Sequence, residues 1–156
     1  MKDAHVTVFE AHQRPLAKVA VTGGGRCNLA FAEFDFKELA KNYPRGEKFL
    51  YSVFSKFSTA ETIEFFKNIG VETYTQDDGR IFPESNSAKD VKNKILNAIK
   101  LADFVKQEVK YINQLNNGYK IKTEKEEYYF TDVVLAIGGH SGLSILSNLD
   151  INIIPQ

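Results

Sequence analysis

The densest group of residues able to do chemistry is Gly23-Gly24-Gly25-Arg26-Cys27-Asn28. Consecutive glycines let backbone N–H groups approach a phosphate or a flat ring closely. Arg26 can neutralise a pyrophosphate or pair with the electron-rich end of a flavin. Asn28 can donate and accept at a ring edge. The run lacks the Gly-Lys-Ser/Thr ending of a Walker A loop. The competing reading is a plain flexible loop. Cys27 is the only cysteine, so an internal disulfide and a Cys-x-x-Cys redox pair are both excluded. It reads either as a reactive thiol beside Arg26 or as a small packed residue, and packing is the favoured of the two.

Elements must position these groups. Val6 to Phe9 is a β-branched and aromatic run, expected as a strand ending in Glu10. After a mixed, basic stretch (13–21) comes the loop 22–28, then a short helix over 36–41, broken by Pro44 and Gly46. Phe49, Leu50, Val53, Phe54 and Phe57 fall at helical spacing within 47–57. Ser58 and Glu61 have the spacing of a capping box, opening a helix to about Ile69 that Gly70 ends. Short strands are expected over 71–74 and 80–82 around the turn Asp77-Asp78-Gly79. Ser87 caps a helix over 88–101. A meander follows, with strands over 104–112, 119–123 and 128–130 and a tight turn at Asn117-Gly118. The run 132–137 reads as a buried strand entering Gly138-Gly139, before a helix over 143–149 and a strand over 151–154.

Parallel-type strands interrupted by an antiparallel meander predict an α/β class, a partial Rossmann-like dinucleotide fold with a helical insertion and a three-stranded β-meander. In such a fold an acidic residue ending the second strand takes the adenosine ribose hydroxyls, which gives Glu10 a role; the bland alternative is a surface strand end. The partner motif Gly-x-Gly-x-x-Gly belongs about 20 residues upstream. Only nine residues precede Glu10, so that loop is expected to be cut off. His12 and His140 lie next to proposed contacts but read more simply as surface or packed residues. Asp77, Asp78 and Arg80 can touch substrate or merely make a turn. The stripe Phe49, Phe54, Phe57, Phe65 and Phe66 can border a flavin but reads first as core.

Glu10, Arg14-Pro15 with Lys18, and Thr22-Gly-Gly-Gly-Arg-Cys-Asn28 together resemble the BaiN/RdsA-type bacterial flavoprotein family. The similarity continues through Tyr43-Pro44-Arg45, Phe57-Ser58, Phe65-Phe66, Gly70-Val71, the run from Asp77 to Pro83, and Ala136-Ile137-Gly138-Gly139. These are FAD-dependent NAD(P)-type oxidoreductases of glutathione-reductase-like fold, and the family includes an aminoacetone oxidase. The resemblance implies that Glu10 holds the adenosine ribose. It implies that Lys18, Gly23, Gly24, Gly25, Arg26, Cys27 and Asn28 lie along the FAD diphosphate and flavin. It further implies that Val109 gives backbone contacts to adenine, and that Ala136, Gly138 and Gly139 pass close to the cofactor. Ile137 stands where the family often has Thr, which removes a hydroxyl contact. On this reading, residues 1–156 are an incomplete FAD-binding domain, lacking the first phosphate-loop strand and the later substrate domain. FAD is the expected cofactor, with NAD(P)H as an electron partner and a small molecule as substrate.

Lys plus Arg equals Asp plus Glu, 20 against 20, so no net field gathers nucleic acid or an anionic membrane. No apolar run is long enough to cross a bilayer, and no signal peptide is visible, so a cytoplasmic location is expected. No general acid or base and no metal ligand is assigned. Two functions follow: the cofactor-binding fragment of an FAD-dependent oxidoreductase, expected to show no turnover by itself, or a non-enzymatic α/β binding module or decayed remnant.

Overall fold

The computed structural model describes residues 4–12, 14–138, 145, 146 and 149. Along the chain run β1 (Thr7–Phe9), a 3-10 stretch (Val19–Gly25), β2 (Ala30–Phe31), α1 (Phe36–Lys41), α2 (Glu47–Phe54), α3 (Thr59–Asn68), β3 (Thr73–Thr75), β4 (Arg80–Pro83), α4 (Ala88–Ala98), β5 (Asp103–Val105), β6 (Tyr111–Leu115), β7 (Gly118–Lys122) and β8 (Glu127–Phe130). They fall into two compact units, Met1–Pro15 with Ala102–Gln156, and Leu16–Leu101.

In the first unit β1 and β5 pair in parallel, Thr7 beside Asp103, Val8 beside Phe104 and Phe9 beside Val105. Phe9 meets Tyr128 and Phe130 edge-on, with ring centroids 5.0 and 5.9 Å away, an arrangement that aromatic quadrupoles favour. The meander β6-β7-β8 is antiparallel throughout and buries Ile112 and Ile121. A parallel pair and a three-strand meander are the α/β arrangement the sequence predicts.

Two boundaries differ in this unit. The strand expected over 104–112 is two strands, because β5 pairs with β1 and β6 with β7. Residues 106–110 turn between those partners outside any ladder. The hairpin turn is Asn116-Asn117, since Leu115 already pairs with Gly118. Gly118 serves another purpose: at φ 132° it brings β7 so close to β8 that a Cβ would sit 2.3 Å from the Phe130 carbonyl oxygen. No side chain fits there.

The run 132–137 is the largest departure. It forms no strand, and Val134 is 90% exposed. An apolar run becomes a buried strand only when a neighbour pairs with its backbone and another layer covers its side chains. Among the described residues no strand pairs with it. The helix expected over 143–149 and the strand over 151–154 lie almost wholly outside the described residues.

The second unit is built around Cys27, Val71, Ala88 and Val91, with Val19, Leu29, Phe66, Ile69 and Ile95 packed against them. A small antiparallel sheet, in the order β2-β4-β3, contributes the buried Ile81 and Phe82. The two-residue β2 carries no pattern that a sequence could show. Each helix start has a local cause. The Asp35 carboxylate accepts from the N–H groups of Lys37 (2.8 Å) and Glu38 (3.1 Å), and these bonds hold it below its usual pKa. Ser58 and Glu61 make the expected capping box, with the Glu61 carboxylate accepting from the Ser58 N–H at 2.8 Å and its hydroxyl at 2.9 Å. Ser87 accepts from the Asp90 N–H at 3.3 Å.

Two helices end earlier than their apolar spacing suggests. α2 stops at Phe54 rather than 57, because the chain must turn into the extended N-cap at Ser58 (φ −127°, ψ −150°). α4 stops at Ala98 rather than 101; Ile99 leaves helical geometry and Leu101 faces solvent, so no buried face rewards another turn.

Candidate functional site

The loop expected over 22–28 is a broken 3-10 stretch that leads directly into the core. Thr22 is extended (φ −66°, ψ 149°), and its hydroxyl donates to the Val19 carbonyl at 2.8 Å. Gly23, Gly24 and Gly25 then take φ values of 55°, 66° and 85°. The left-handed region costs other residues roughly 1–2 kcal/mol each, so a run of three selects glycine. A Cβ on Gly24 or Gly25 would meet nothing within 4 Å, whereas one on Gly23 would lie 2.7 Å from the Asn28 nitrogen. The three glycines and Asn28 are exposed, so this backbone is open to a ligand.

Two anchors hold the open backbone in place. Cys27 also has positive φ, 69°, yet its side chain is buried at 5% exposure in the core cluster. Its N–H donates to the Thr22 carbonyl at 3.0 Å, closing the turn. Cys27 is therefore a packed residue in this structure, the favoured of its two readings. The second anchor is Arg26. Its guanidinium lies over the Phe82 ring, 4.1 Å from the centroid. The same ring lies 3.0 Å from the position a Gly23 Cβ would take. The sequence does not single out Phe82 as a site residue, and nothing in it signals that a β4 side chain underlies a turn so distant along the chain.

Arg80 approaches the same ring at 5.7 Å but is committed elsewhere. Its Nε donates to Asp78 Oδ2 at 2.8 Å and its Nη2 reaches the same oxygen at 2.5 Å. The Asp78 carboxyl is held below its ordinary pKa by the Arg80 side chain first and the Arg80 N–H second. Asp78 and Arg80 thus satisfy each other across the turn. Among the described residues Arg26 has no carboxylate within ion-pair distance. Lys18, also in this unit, is exposed just before the 3-10 stretch.

The other expected contacts belong to the first unit. Glu10 follows β1, half-buried, and continues the parallel pairing through its N–H to the Val105 carbonyl at 3.0 Å. Its Oε1 accepts from the His12 N–H at 2.9 Å, which fixes the carboxylate at the strand's end. His12 is exposed. Val109 lies half-buried in the turn between β5 and β6. Ala136 and Gly138 are exposed in the unpaired run, with Gly138 at φ 77°. Gly139 and His140 lie outside the described residues. A concavity on the meander, lined by Glu108, Lys110, Tyr111, Lys122, Thr123 and Glu124, carries none of these groups. Lys110 there is paired with Glu108 at 2.7 Å and Glu124 at 3.2 Å. Among the described residues no group of three or more His, Cys, Asp or Glu is placed to hold a metal. The Phe stripe divides: Phe66 packs on the core, while Phe49, Phe57 and Phe65 are exposed.

Within the first unit, a parallel strand pair with an acidic residue at the end of β1 is a feature of dinucleotide folds. Residues 1–151 match the HI0933-like protein Rossmann domain. The chain belongs to this family. This is the flavoprotein family that the glycine-arginine-cysteine-asparagine run resembles. Over 149 residues the chain is 28% identical to the 3-dehydro-bile acid delta(4,6)-reductase of Clostridium scindens, covering 94% of this chain and 36% of that protein. It therefore spans little more than a third of that relative's length. The HI0933-like match makes the chain a Rossmann-type domain of an oxidoreductase family. Among the described residues no helix is long and apolar enough to cross a membrane.

Proposed function

We propose that this chain is the cofactor-binding portion of an FAD-dependent oxidoreductase. The observation that carries the proposal is the glycine turn. Its exposed left-handed backbone leaves open space where the Cβ atoms of Gly24 and Gly25 would stand, and Arg26 beside it lacks a carboxylate partner among the described residues. That combination fits a flat, anionic cofactor. The glycines would let the diphosphate or ring approach the main chain, and Arg26 would stabilise its negative charge. Lys18, Cys27 and Asn28 would lie along the same path, Cys27 through its main chain, since its side chain is buried. Glu10 would take the ribose hydroxyls with the carboxylate that His12 already orients. Val109, Ala136, Gly138 and Gly139 would add main-chain contacts.

FAD would supply the hydride or electron transfer; the chain's residues bind and orient it and set the charge around it. NAD(P)H is the proposed electron partner and a small molecule the substrate. The protein would work in the cytoplasm, with neither nucleic acid nor membrane as a partner. The relative's reductase activity on a bile acid supports a redox role for the family. To test the proposal, the complete gene product is purified and its bound small molecules are released by heat. FAD in near-stoichiometric amount, or its uptake on reconstitution, is expected. A protein that neither carries nor takes up FAD would favour the non-enzymatic binding module.

A further inference from the structure

We infer that Phe82 is a positioning residue for the cofactor site, acting through Arg26. The inference rests on the FAD reading above. Phe82 lies on β4, fully buried, and its ring lies beneath the glycine turn. The Arg26 guanidinium stacks 4.1 Å from its centroid, and Gly23 approaches closely enough that a Cβ would lie 3.0 Å from the ring. A long arginine side chain beside an exposed glycine backbone has many rotamers, and each must be given up before it can meet an anion. A flat ring beneath the guanidinium restricts those rotamers in advance and leaves its N–H edges free to donate.

The neighbouring charges explain why Arg26, and not Arg80, is the cation on offer. Both guanidinium groups lie over one ring, at 4.1 and 5.7 Å. Arg80 is held by Asp78 through its Nε, its Nη2 and its main-chain N–H. That pairing neutralises one of the two cations and limits their mutual repulsion. A single oriented positive charge then stands beside Gly23–Gly25. Phe82 itself touches no cofactor in this account; it is core structure whose exposed consequence is the angle of Arg26.

A double-mutant cycle tests this. FAD affinity of the complete gene product is measured by titration calorimetry for wild type, Phe82→Leu, Arg26→Ala and the double variant, with circular dichroism as the folding control. If Phe82 acts through Arg26, Phe82→Leu weakens FAD binding about five- to tenfold in the wild-type background. In the Arg26→Ala background it then has little further effect. An equal loss in both backgrounds would make Phe82 merely structural and overturn the inference while leaving the FAD reading intact. Wild type that does not bind FAD would overturn the FAD reading and this inference with it, whereas Arg26→Ala that binds as wild type does would overturn this inference while leaving FAD binding itself intact. Should Phe82→Leu fail to fold, Arg26→Lys decides the matter, because it keeps the charge but loses the planar stack. Binding several-fold weaker than wild type supports the inference; wild-type affinity refutes it.

Discussion

Two segments of this chain carry glycines for a proposed cofactor, and they are held in opposite ways. The Gly23–Asn28 turn is pinned by a buried thiol at Cys27 and by a stacked guanidinium at Arg26, so its open backbone has one defined shape. The run 132–138 is far more apolar and also has a glycine at positive φ, 77°, yet Val134 is almost fully exposed and no described strand pairs with it. A glycine motif is therefore held in a defined conformation by what lies beneath it. At the turn, α3 delivers Phe66, the link between α3 and β3 delivers Val71, α4 delivers Ala88 and Val91, and β4 delivers Phe82, all within one unit.

The widest gap between the segments should appear on truncating an apolar side chain in each. Phe82→Ala should cost about 3–5 kcal/mol in urea denaturation, whereas Val134→Ala should stay within about 0.5 kcal/mol. Similar values for the two would erase the distinction. Next in size is the glycine test. Gly23→Ala must adopt positive φ and also displace the Asn28 nitrogen, so a loss of about 2 kcal/mol is expected. Gly138→Ala has the same dihedral problem in a segment that no described strand pairs with, and should cost well under half as much by the same measurement.

The smallest effect concerns pH. Asp78 has its pKa depressed by Arg80, and Glu61 by the Ser58 N–H. A depressed carboxylate contributes stability above its unfolded pKa and loses it as pH falls through the lower folded value. The melting temperature should therefore decline as pH drops below about 4. Asp78→Asn should flatten that decline slightly, and Asp78 is solvent-exposed, so the shift should be small and reduced further by salt. An unchanged slope for Asp78→Asn would mean the Asp78–Arg80 pair contributes nothing to folding in solution.

Much of this was legible in the sequence, and the reason is locality. Ser58 with Glu61, Ser87, the α/β order and the meander are set by residues within a few positions of one another, so their spacing states the outcome. The glycine turn was legible as a turn because three successive left-handed residues favour glycine. The burial of Cys27 and the Phe82 ring under Arg26 depend on β4 and α4 folding back across distant chain, and no spacing encodes that. The run 132–137 misled for the same reason in reverse. Its composition is that of a buried strand, but burial needs a neighbour that composition does not name.

The most direct test of the central claim is FAD binding by the complete gene product before and after Arg26→Ala. Clear saturable binding by wild type and at least a tenfold loss in the variant are expected, the scale of one charge-assisted hydrogen bond. The weakened residual binding should also depend less on salt. Equal affinity in the two proteins would show that the turn and its arginine do not face the cofactor.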